Sequence, residues 1–200
     1  MGASCLIICH GTSEKIIGDS IKSTLRLSME VHAEKNSKQG RGCCKSIQVS
    51  ELSNYLKSNS KFKTMTDFLR AFPKVESTGR GKKRKLENFK IFIIMDVDDC
   101  TENEKADFIN GKMFEEHWAK EYIVPIFNDK NLEEVIKKSG ITYTTIKNKT
   151  KEYLELFPRG QTTKEDLIEY ATKLKKCKYT NLEVLFDYCL NYKQPIFYLE

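Results

Sequence analysis

Apolar residues recur along the chain with two periods, and the alternation between them predicts its elements. Residues 4 to 9, SCLIIC, are a short apolar run entering the glycine-containing turn HGTSE, the pattern of a buried strand ending in a loop. Ile16, Ile17, Ile21 and Leu25 then recur at helical spacing and predict a helix over 14–25. MEVHAE, at 29–34, alternates apolar and polar residues as a second strand would, and Gly40, Arg41 and Gly42 mark a loop after it. Ile47, Val49, Leu52, Tyr55 and Leu56, followed by Phe62, Met65, Phe68, Leu69 and Phe72, predict two short helices joined by KSNSK. FKIFIIMD, at 89–96, is apolar almost throughout, as expected of a central parallel strand covered on both faces. A helix over 102–118 with a break at Gly111, a strand over 122–127 and a short helix in NLEEVIKKSG complete this part. The last of these carries Lys137 and Lys138 in its final turn and Gly140 beyond it.

Strands alternating with helices in this order predict an α/β fold, a Rossmann-like parallel sheet flanked by helices and built from right-handed crossovers. In such a sheet ligands bind beyond the carboxyl ends of the strands, where HGTSE, DVDDC and NDKNLEE all fall. Residues 144–200 read as helix throughout, with Thr163/Asp166 and Thr180/Glu183 at the spacing of N-terminal capping pairs. The expected organisation is an α/β domain over 1–143, interrupted by an insertion near 35–85, and a helical C-terminal extension over 144–200. That extension either packs on the sheet or serves as a partner surface.

Composition narrows the setting. At 200 residues, 40% apolar and 31% charged, the chain can bury one sizeable core, and it holds no apolar run near the roughly 18 residues of a membrane span. MGASCLIICHG has neither a basic n-region nor a small-residue cleavage site, so a cytoplasmic protein without membrane association is expected. The seven cysteines are an odd number without CxxC spacing, which argues against a disulfide framework and a structural zinc site, and Cys5 and Cys9 read as core residues of a reducing compartment. The net charge of +6 is concentrated, most densely in GRGKKRK at 79–85. Lys82, Lys83, Arg84 and Lys85 are candidates to track a phosphate backbone, the alternative being a solvated loop. A basic chain with a local acidic cluster points to a polyanionic partner approached through a metal.

That cluster is Asp96, Asp98 and Asp99. In an extended segment Asp96 and Asp98 share side-chain parity, so both can reach one point beyond the strand. A hard divalent cation suits them, because Mg²⁺ uses one or two carboxylates together with waters and phosphate oxygens. Asp99 or Thr101 reads instead as the cap of the following helix. Glu14 stands near the start of the first helix, where it could face the aspartates or be an ordinary first-turn glutamate. His10 either ligates a softer metal or moves a proton, or it is a satisfied polar residue at a strand end. His32 and His117 have no comparable setting.

Taken together, LIICHGTSEKII, IIMDVDD and VPIFNDKNLEEVI resemble the Toprim fold of OLD-type and RloB-like nucleases of phage-defence systems. The resemblance covers residues 4 to 140 and matches Glu14 to the second glutamate of the pattern, Asp96 and Asp98 to its DxD, and Glu133 to its downstream acid. It implies a Rossmann-like sheet, Mg²⁺ or Mn²⁺ held by Glu14, Asp96, Asp98 and Glu133, and cleavage of nucleic-acid phosphodiesters. On this reading Lys15 and the basic 79–85 run would hold the nucleic-acid backbone, with a partner protein such as an ATPase alongside. The departure is His10, which stands where the pattern has its first acid and favours Mn²⁺ over Mg²⁺. Two other readings stay open. One is a degenerate Toprim scaffold that binds nucleic acid or a partner protein without cutting; the other takes DVDDCT as an approximation to a haloacid-dehalogenase-like phosphatase loop.

Overall fold

The computed structural model describes residues 2–35, 44–141, 149–158 and 160–192. Four strands form the main sheet: β1 (Cys5–Cys9), β2 (Glu30–His32), β5 (Lys90–Asp96) and β6 (Ile123–Asn128), with β3 (Ser77–Thr78) and β4 (Lys85–Leu86) forming a separate antiparallel pair. All pairings in the main sheet are parallel and its order is β2-β1-β5-β6. From β1 the chain crosses to β2 on one side, then returns to β5 on the other. The carboxyl ends of β1 and β5 therefore flank the point where strand order reverses, which is where open α/β sheets bind ligands.

The apolar run of β1 is buried at every position because both sheet faces are covered. Cys5, Ile7, Cys9, Phe92, Ile94 and Ile126 point to one face, while Leu6, Ile8, Ile91, Ile93 and Met95 point to the other. The first face receives α1 (Thr12–Leu25) through Ile17 and Ile21, and α5 (Leu132–Lys138) through Leu132, Val135 and Ile136. The second receives α2 (Val49–Ser58), α3 (Met65–Ala71) and α4 (Glu102–Ile109), with an aromatic cluster around Phe62, Phe68 and Phe72. The expected break at Gly111 is present: its φ of 77° ends the helical run, and a single 3-10 turn, Lys112–Phe114, follows.

The helices α6 (Lys149–Leu156), α7 (Lys164–Lys175) and α8 (Glu183–Asn191) pack on the same face as α1 and α5, inserting Tyr153, Phe157, Leu167, Leu174, Leu185 and Phe186 into that core. Tyr188 Oη donates to Ser4 O at 2.8 Å, tying α8 to the start of β1. Thr163 caps α7 as its spacing with Asp166 predicts. Thr180 does not cap α8, whose N-cap is Leu182. It is held instead on the free edge of β6, where it bridges Asn128 and lies 2.8 Å from Phe127 O. Beside it Asn181 accepts from Phe127 N and donates to Pro125 O, both at 2.9 Å, so a side-chain amide stands in for a neighbouring strand. Among the described residues no helix is long and apolar enough to cross a membrane.

Candidate functional site

β5 ends on Asp96, in register with Asn128 at the end of β6. Asp96 shares side-chain parity with Phe92 and Ile94, so it faces the α1 side of the sheet. It is 9% exposed and Asn128 is fully buried. Asn128 Nδ2 donates to Asp96 Oδ1 at 3.0 Å, and Asn128 Oδ1 lies 3.0 Å from Thr180 Oγ1, which in turn accepts from Leu182 N. This relay fixes which end of the amide meets the carboxyl. The segment at 180–182 thus anchors the aspartate from a distance.

Glu14, in the first turn of α1, is 2% exposed, and its Oε2 accepts the Gly11 backbone N–H at 2.8 Å. The first turn of a helix favours a carboxylate, since the free N–H groups there carry partial positive charge. Glu133 stands in the first turn of α5 and is half-buried. Burial pushes the Asp96 carboxyl up to about 8, with the charge of Glu14 next in weight and those of Glu133 and Asp98 adding to it, against the lowering bond from Asn128. Burial also raises Glu14; its bond from Gly11 and the charge of His10 oppose the rise, and Glu133 adds to it. Glu14, Asp96 and Glu133 therefore feel one another's charge at one end of the sheet.

The other expected residues are placed less uniformly. Asp98 lies beyond the strand in a bend, exposed, as does Asp99, while Val97 between them and the strand is buried. Extended parity stops at Asp96, so Asp98 adds charge near the site without sharing the burial of Asp96. Thr101, not Asp99, caps α4, in a reciprocal pair with Glu104. His10 continues the β1–β5 pairing through its N–H to Ile94 O at 3.0 Å, and its buried Nδ1 has no hydrogen-bond partner among the described residues. Lys15 is paired with Asp19 at 2.6 Å. His117 is a packing residue, with Nε2 3.1 Å from Phe62 O.

The basic run differs most from expectation. Residues 79–85 form no open loop: Gly81–Lys83 make a 3-10 turn that closes the β3–β4 hairpin. The hairpin leads through Leu86 and Phe89 into the start of β5, and Leu86 N donates to Tyr122 Oη just before β6 begins. It therefore abuts the amino edge of the sheet, whereas the carboxylates stand at the carboxyl edge. The seven residues of β5 separate them by about 20 Å. Lys83, Arg84 and Lys85 cannot grip the same phosphate as Asp96; the side chain of Lys82 lies outside the described residues.

Three residues at the carboxyl edge went unread in the sequence. Asn128 has no motif of its own; only the pairing of β5 with β6 reveals its role. Lys105 and Asp129 form an ion pair at 3.0 Å between α4 and the end of β6, placing a cation beside the acidic end.

Whether these residues suit a divalent ion turns on donors and geometry. The donors suit one: carboxylates that raise one another's proton affinity call for an added positive charge, and the buried His10 Nδ1 lacks a partner among the described residues. Among the described residues, however, no three His, Cys, Asp or Glu side chains are gathered closely enough to cage an ion. The arrangement fits an ion of the magnesium kind, held by one or two carboxylates and completed by waters and phosphate oxygens. In comparisons with family models, curated proteins and solved structures, none matches this chain.

Proposed function

We propose that this protein is a divalent-metal-dependent phosphodiesterase acting on nucleic acid, of the Toprim-like kind that its motifs resemble. The observation that carries the reading is the burial of Asp96, which ends β5, and of Glu14, in the first turn of the helix that follows β1, at the carboxyl edge where strand order reverses. Two buried carboxylates at a ligand-binding edge are costly unless a cation or proton neutralises them. Asp96 and Glu14 would hold Mg²⁺ or Mn²⁺, with Asp98 and Glu133 at its flank. The ion would supply Lewis-acid polarisation of a phosphate and a more acidic water. Asn128 fixes the Asp96 carboxyl, and the buried His10 Nδ1 stands at the same edge. A role in prokaryotic or phage-related defence, an ATPase partner and a cytoplasmic setting belong to the same proposal, the first two resting on the resemblance and the last on the pattern of the cysteines.

A second reading is favoured by His10 in place of the first acid and by the lack of a ready three-ligand cage among the described residues: a degenerate scaffold that binds nucleic acid without cutting. Incubating purified protein with labelled DNA and RNA in Mg²⁺ and in Mn²⁺ separates the two. Cleavage abolished by Asp96→Ala supports the enzyme; binding without cleavage under either metal supports the scaffold.

A further inference from the structure

The β3–β4 hairpin is left over by the carboxyl-edge site, and its charge is out of proportion to its size. From Lys74 through Lys90, both included, the chain has seven Lys or Arg residues and two Glu, a net of +5 in a chain whose total is +6. Arg80, Lys83 and Lys85 are exposed and Arg84 is half-buried; among the described residues none of the four pairs with a carboxylate. A run of like charge without counterions self-repels and favours an open, solvated chain. Here it is folded into a defined shape.

Glycine makes that shape possible. Gly79 has a φ of 75° and Gly81 a φ of 56°, both in the left-handed region, and a Cβ on Gly79 would collide with the carbonyl oxygen of Lys83. The turn closes through Lys83 N to Arg80 O and Arg84 N to Gly81 O, both at 3.2 Å. Its base is anchored by buried Val75, Leu86 and Phe89. The hairpin thus presents its cations from a fixed ribbon rather than a loose tether.

We infer that this ribbon is a docking surface for the phosphate backbone of a nucleic-acid duplex, separate from the carboxyl-edge site. No apolar or aromatic residue lies between Gly79 and Lys85, so the tip has nothing to insert into a bilayer and no ring on which an unpaired base could stack. Closely spaced cations on a narrow ribbon match the regular negative charge of a duplex. The inference does not depend on cleavage. Binding measured without divalent metal can fail while metal-dependent cutting persists, and the reverse.

The test is fluorescence anisotropy of a labelled DNA or RNA duplex of about 20 bp, in EDTA, across a salt series. Replacing Lys82, Lys83, Arg84 and Lys85 together by Ala should weaken binding about tenfold or more at low salt. The slope of log affinity against log salt should fall by about 2–4, since each lost phosphate contact removes about 0.9. Gly79→Val keeps the charges and breaks the turn, and it should weaken binding several-fold. Unchanged affinity and slope in the Ala variant, unchanged affinity in Gly79→Val, or wild-type binding to phosphatidylserine vesicles without duplex binding would each overturn the inference.

Discussion

Asp96 keeps its proton to about pH 8 because ionising it would put a charge in a buried place beside Glu14. In the unfolded chain the same carboxyl ionises near 3.8. Between those values the folded protein binds the extra proton, so in the absence of metal its stability falls as pH rises through that window and levels off above it. Asp96→Asn removes the penalty and keeps an oxygen to accept from Asn128. Thermal melts in EDTA should show the variant gaining on wild type from about pH 4 to pH 8. The final gain should be about 1 kcal/mol or more, which is about 2–4 °C per kcal/mol at this chain length. Asn128→Ala acts in the opposite sense: it strips the hydrogen bond that lowers the Asp96 pKa and should cost about 1–3 kcal/mol in urea unfolding. The carboxylates were legible in the sequence because acids after an apolar run violate the hydrophobic pattern. Asn128 was not, since its partners Asp96 and Thr180 are 32 and 52 residues away and meet it only through the β5–β6 register and the segment laid along β6.

At the level of elements, periodicity was enough for the four strands of the sheet and for α1 to α5, because each buries a continuous face whose spacing is visible locally. It failed where tertiary contacts decide. Thr180 stands at capping distance from Glu183, yet the free edge of β6 competes for it and for Asn181. The basic run lacks apolar anchors of its own and reads as a loop, although glycines at positive φ and the buried residues flanking it make a hairpin. The β6 edge offers a test. Asn181→Ala leaves Phe127 N and Pro125 O without their side-chain partners and should cost about 1–3 kcal/mol. Chemical unfolding reads the cost, and light scattering should show more self-association through the uncovered edge.

For the whole molecule, two edges of one sheet carry opposite charge. The carboxyl edge gathers Glu14, Asp96 and Glu133; the amino edge carries the basic ribbon about 20 Å away. The α/β class and the convergence of three motifs on one edge were readable from element order alone. The position of the ribbon was not, because it depends on which end of β5 the hairpin joins. The C-terminal helices complete the core over α1 and α5, so a chain ending at residue 141 should expose that face and fail to melt cooperatively, as circular dichroism would show.

If the carboxyl-edge acids hold a divalent cation, as we propose, calorimetric titration of Mn²⁺ and Mg²⁺ into the protein at about pH 8 reads that binding without any step of catalysis. Wild type should bind one ion with release of protons and prefer Mn²⁺, Asp96→Asn should lose that binding, and His10→Glu should shift the preference toward Mg²⁺. Absence of binding to wild type, or equal binding by wild type and Asp96→Asn, would mean that these acids hold no ion.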